Sequence, residues 1–115
     1  MAPNKDLVAA SATPLVLAVL RGGDSYGYAI ITQVRAASGN NLEWNEGMLY
    51  PLLHRLTARG FIEQYESAPD GARARKYYRL LPAGRAHLER ESREFLQVSE
   101  KLTALLNPTT GVSHA

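Results

Sequence analysis

The stretch GMLYPLLHRLTARGFIE, residues 47–63, changes period partway along. Leu49, Leu52, Leu53 and Leu56 recur at i, i+3, i+4 and i+7, the spacing of one buried helix face. Gly60 ends that pattern, and Phe61-Ile62-Glu63 begins an alternation that suits a strand. The face opposite the leucines carries Gly47, Pro51, His54 and Ala58, small and nearly bare of carboxylates. Asn45 is placed to cap the helix. Trp44 then precedes the cap and Leu49 is the fourth helical residue, the pairing of a hydrophobic staple. Pro51 removes the amide that would bond the Gly47 carbonyl, so the first turns are expected to be kinked or locally unwound.

Downstream, FIEQYE and ARKYYRLL flank SAPDGAR, whose Pro-Asp-Gly is a turn signal, and together they predict a β-hairpin. Alternation sends Tyr78 and Leu80 to the core side, with Arg75, Tyr77 and Arg79 on the other; Arg73 and Arg75 sit near the tip. Upstream, Asp24 or Ser25 caps a helix through about Ser38, with the apolar positions Gly27, Ile30, Ile31, Val34 and Ala37 on one stripe. Gly27 should let another helix pass close. Gly39, Asn40 and Asn41 break the chain.

The first helix starts either near Asp6 or at Thr13-Pro14, read as N-cap and first turn; a kink at Pro14 reconciles the two, and Arg21-Gly22-Gly23 ends it. The last helix runs from Pro82 to Asn107. There Leu88, Phe95 and Leu102 recur every seven residues, with Val98 and Leu105 between them and Glu91 interrupting the first intervening position. This seam is longer than one 115-residue globule needs to cover itself, so it is expected to pack on a second copy. Pro108 stops the helix, leaving residues 108–115 as a disordered tail. The fold class is mainly α with a small β-hairpin. It divides into a winged helix-turn-helix over residues 1–81 and a C-terminal dimerisation helix over residues 82–107.

Composition narrows the function. No cysteine means no disulfide, thiolate or Cys-based zinc chemistry, which suits a reducing cytoplasm. Leu7–Leu20 is apolar, but Asp6 abuts it and RGGDSY follows, so it reads as a buried helix and not as a signal peptide or a membrane span. His54, His87 and His114 are scattered, without companions at metal spacing. No phosphate loop, nucleophile elbow or paired-carboxylate arrangement is present, so neither enzyme nor cofactor is expected. Net charge is only +2, yet residues 71–90 hold six basic side chains against Glu89, a local +5 that leaves −3 for the rest. Such asymmetry marks a surface.

In a helix-turn-helix the second helix enters the DNA major groove, where bulk or carboxylates would hold it away. Gly47 and Pro51 permit approach, while Tyr50, His54 and Arg55 flank them, within reach of phosphates or base edges. Asn45 with the amides of Glu46 and Gly47 forms a helix N-terminus suited to a phosphate.

GDSYGYAI, GMLYPLLHRLTARGFIE and GARARKYYRLLPAGRAHL together resemble the PadR-type transcriptional regulators, over Leu15 to about Leu106. The likeness is carried by Gly-Tyr in the second helix, Leu-Tyr-Pro in the third, and Lys-Tyr-Tyr-x-Leu-x-x-x-Gly leaving the wing. The single last helix is similar to that of the family's short subgroup. The resemblance implies a homodimeric, ligand-responsive repressor on a pseudo-palindromic operator. Tyr28 and Tyr50 then stand at the family's two tyrosines, and Arg75 and Lys76 in its basic wing. Leu81 stands where the family usually has threonine before Pro-Ala-Gly, which weakens the cap of the last helix.

Packing explains Tyr26 and Tyr28 as well as phosphate contact does. Trp44 is better explained by the staple than by stacking on a ligand. The resemblance implies an aromatic or phenolic effector for some members; the spare apolar surface between the first and last helices, near Leu15, Phe95 and Val98, is the expected place. The competing reading is a winged-helix module whose basic wing meets an acidic protein partner.

Overall fold

The computed structural model describes residues 5–37, 44–71 and 73–107. The order is α1 (Lys5–Arg21), β1 (Ser25–Tyr26), α2 (Gly27–Ala37), α3 (Glu46–Ala58), β2 (Ile62–Ser67), a 3₁₀ turn at Pro69–Gly71, β3 (Arg75–Leu80) and α4 (Pro82–Leu106). The break expected at Gly39–Asn41 and the tail 108–115 lie outside the described residues. No helix among them is long and apolar enough to cross a membrane.

α1 starts at Lys5 and carries Pro14 inside it, so Thr13 is not its cap. Pro14 deletes one backbone bond, but Ala12, Val16, Leu17 and Leu20 are buried on either side and hold the turns together. Pro51 likewise leaves α3 continuous, so of the kink or local unwinding expected there the unwinding does not occur. Leu49, Leu52, Leu53 and Leu56 flank it, all buried, and packing outweighs one missing bond.

Both ends of α3 follow from local chemistry. The Asn45 side chain accepts from the Met48 amide at 3.0 Å, and Trp44 and Leu49 are both fully buried, as a staple requires. At the other end Gly60 adopts φ +76°. Its amide donates to the Thr57 carbonyl and that of Phe61 to Leu56, both at 3.0 Å, a Schellman closure.

Ser25 and Tyr26 do not open α2. They form β1, which pairs antiparallel with β3 and makes a three-stranded sheet in the order β1-β3-β2, where a hairpin alone was expected. The hairpin register sets Glu63 opposite Arg79, Tyr65 opposite Tyr77 and Ser67 opposite Arg75. Tyr78 is buried and Leu80 packs on the core, as alternation predicted.

α4 begins with no side-chain cap at Leu81 and Pro82 in its first turn. Leu88 is 4% exposed, inside the protomer's own core with residues from α1, α2 and α3. It therefore does not belong to an exposed seam: the first turns of α4 dock on α1, and the core runs past the 81/82 boundary. Beyond that point Phe95, Leu96, Val98, Leu102, Leu105 and Leu106 are all exposed. His87 Nε2 lies 2.7 Å from Glu91 Oε2, and the His87 ring stacks on Phe61.

Candidate nucleic-acid interface

The exposed side of α3 presents Gly47, Tyr50, Pro51, His54, Arg55 and Ala58. Tyr50 is 43% exposed because its ring lies across Gly27. A Cβ on Gly27 would stand 2.5 Å from the Tyr50 hydroxyl, so the close approach expected there is made by a side chain of α3.

Tyr50 and Lys76 separate two hollows. One, of about 460 Å³, is lined by Tyr26, Gly27, Tyr28, Tyr50, Arg75 and Lys76. The other, of about 490 Å³, includes Tyr50, His54, Thr57, Gln64, Lys76 and Tyr78. Helix, wing and the start of α2 thus converge on one concave surface. Tyr28, 68% exposed, has no packing role large enough to explain it. Tyr26 is half-buried, set edge-on to Tyr77 at 5.5 Å and covered by the Arg75 guanidinium at 4.5 Å.

Other expected residues stand apart. Arg55 and Arg73 are exposed but line neither hollow. The Asn45 carbonyl oxygen is committed to the cap, which leaves its amide and the exposed first turn at Glu46 and Gly47 facing solvent. Among the described residues no three His, Asp or Glu side chains gather as a metal site.

A polar cluster on the sheet's outer face has no local signal in the residues. Tyr65 Oη donates to Asp24 Oδ2 at 2.6 Å, and Arg79 pairs with Asp24 at 3.4 Å and Glu63 at 2.8 Å. The sequence offers Asp24 or Ser25 as the cap of α2, and only the pairing of β1 with β3 brings Asp24 to Tyr65, 41 residues away. Arg79, counted with the basic run, is neutralised here.

Accepting that bond, the Asp24 carboxylate raises the Tyr65 phenol above its ordinary value, with burial and the nearby negative charge adding to the effect. Burial, and secondarily Tyr50, raises Tyr78. Stability from a raised phenol is full below the unfolded value and is lost as pH climbs through the folded one. Melting temperature is therefore expected to fall as pH rises past about 10, the ordinary phenol value, and by less in Tyr65→Phe; equal alkaline slopes would remove Tyr65 from the cause.

Between α1 and α4 lies an apolar groove of about 370 Å³, with Pro14, Leu15, Ala18, Phe95 and Leu96 in its walls. It joins Leu15 and Phe95, whereas Val98 lies outside its lining.

Comparison with known proteins agrees with this geometry. The model of the transcriptional regulator PadR-like family matches residues 16–90. A transcriptional regulator of Mycobacterium tuberculosis is 40% identical over 65 residues, 56% of this chain and 60% of that protein. The crystal structure of a PadR-like transcriptional regulator from Bacillus cereus superposes with a TM-score of 0.80 at 25% identity, covering 89% of this chain and 97% of that one. A PadR family regulator from Clostridium difficile gives 0.75 at 31% identity, over 84% and 98%. The chain belongs to the PadR-like family of transcriptional regulators, winged-helix proteins that bind DNA and are not enzymes.

Proposed function

We propose that this protein is a cytoplasmic homodimeric repressor that binds a pseudo-palindromic operator and releases it on binding an aromatic or phenolic effector. The observation that carries this reading is the convergence of the α3 face and the wing cations on one concave surface at Tyr50 and Lys76. In the proposed complex α3 lies in the major groove with Gly47, Pro51 and Ala58 toward the bases. Tyr26, Tyr28, Tyr50, Arg75 and Lys76 hold one backbone, and His54 and Arg55 reach base edges or phosphate. The exposed stripe Phe95, Val98, Leu102 and Leu105 pairs two copies, so that two α3 helices face successive major grooves. The groove at Leu15 and Phe95 receives the effector and, lying against α4, shifts the spacing of the recognition helices.

Selection of binding sites from random duplexes tests the reading: a two-fold symmetric product is the expected result, and an unenriched pool would end it. The wing supplies a second test. Replacing Arg73, Arg75 and Lys76 with alanine is expected to lower affinity for the selected duplex by at least about tenfold near physiological salt. The slope of log affinity against log salt should become shallower by about 2. The slope changes by less than the three charges removed because Arg73 lies off the hollows. Unchanged values, together with binding to an acidic protein, would favour the protein-module reading.

A further inference from the structure

The pairing scheme leaves the wing tip short of support. β1 reaches only Tyr77 and Tyr78 of β3, so the Glu66–Lys76 and Ser67–Arg75 pairs have no third strand beside them. Yet Arg75 and Lys76 are the two cations that line the hollow beside α3. A two-stranded ribbon is marginal by itself, and its tip bends easily.

Side chains on the outer face make good that lack. Arg75 lies over Tyr26, Tyr26 meets Tyr77 edge-on, Tyr77 stacks on Tyr65 at 5.8 Å, and Tyr65 lies under Arg79 at 4.5 Å. The far end is tied down by Asp24, which accepts from both Tyr65 and Arg79. Asp24 comes from the chain just before β1, outside the hairpin, so the tie joins the wing to the body of the domain.

Charge makes this arrangement hard to read as an electrostatic aid. Arg79 with Asp24 and Glu63 sums to −1, which repels a phosphate backbone. On the DNA-facing reading of the wing, an acid placed beside it contributes geometry and not attraction.

We propose that Asp24 is a positioning residue for operator recognition: by anchoring Tyr65 and Arg79 it fixes the aromatic row that sets Arg75 beside α3. This rests on the DNA-facing reading of Arg75. It goes beyond that reading in assigning a role to a carboxylate whose partners are Tyr65 and Arg79.

The test compares wild type, Asp24→Ala and Tyr65→Phe, using a duplex selected by the wild-type protein and a scrambled duplex of equal length. Asp24→Ala is expected to lower the ratio of selected to scrambled affinity about fivefold, with the melting temperature little changed and scrambled binding equal or tighter. Tyr65→Phe, which alters no charge, should shift the ratio in the same direction by less. In the free protein both variants should speed amide exchange at residues 65–67 and 75–77 relative to the α-helices. If Asp24→Ala tightens both duplexes equally, as simple removal of an acid would, the proposal is overturned. Unchanged exchange in the wing overturns it too. A wild type that prefers no duplex would speak against the operator reading, and the exchange measurement alone would then decide the role of Asp24.

Discussion

In the proposed dimer, Leu102→Glu is expected to yield monomer and to lower affinity for a symmetric operator by at least about a hundredfold, since the second half-site would no longer bind as part of the same complex. Leu102 is 54% exposed in the middle of an apolar stripe that runs from Phe95 to Leu106, and none of the described residues covers it. Burying one leucine is worth about 2 kcal/mol, and a twofold seam loses two while placing two carboxylates near each other. The dimer dissociation constant should rise about a thousandfold or more. The folded protomer should hardly change, because its core closes at Leu88, well before this part of α4. Sedimentation of wild type and variant measures the first claim and a circular dichroism melt the second. A variant that still sediments as the wild type does would remove the seam.

Gly84→Ala should destabilise the protein by about 3 kcal/mol and lower its melting temperature by about 12 °C. Helix propensity alone predicts the opposite sign, a gain of up to about 1 kcal/mol. The difference is steric. A Cβ on Gly84 would stand 2.1 Å from the Phe61 carbonyl oxygen and 2.9 Å from its carbon. That peptide cannot swing aside: its oxygen accepts from the Leu81 amide at 2.9 Å, and the Phe61 amide donates to Leu56 at 3.0 Å. Leu80 Cδ1, 2.8 Å from the same point, closes the other side. The helix itself would have to move off the sheet, changing the angle at which α4 leaves the DNA-binding body. Thermal or urea unfolding measures the outcome, and a rise in melting temperature would show that α4 slides freely over Phe61.

Much of this was legible in the residues. The leucine period and Gly60 fixed α3 and its end, Asn45 its start, and Pro-Asp-Gly with flanking alternation the wing; each is a local signal in which a side chain acts on its own backbone or on one face of its own element. Where local cues misled, packing had overruled them. Pro14 suggests a helix start and Pro51 a local unwinding, but each lies between buried apolar turns whose burial outweighs one absent hydrogen bond. Leu88 continued the heptad of α4 in sequence, yet it lies in the protomer's own core, because the first turns of α4 pack on the body of the domain, with Gly84 against Phe61 and Leu80.

The chain's own order and periodicities therefore determined the winged-helix architecture, the small face of α3 and the basic wing. Tertiary structure alone decided that Asp24 meets Tyr65, that Tyr50 rests on Gly27, and that Arg79 is spent on carboxylates while Arg75 is not. Those contacts join residues 16 to 55 positions apart, and β1, two residues long, is too short to announce itself. Periodicity reports which face an element buries; which residues of distant elements meet on the other face depends on strand register, set only when the sheet forms.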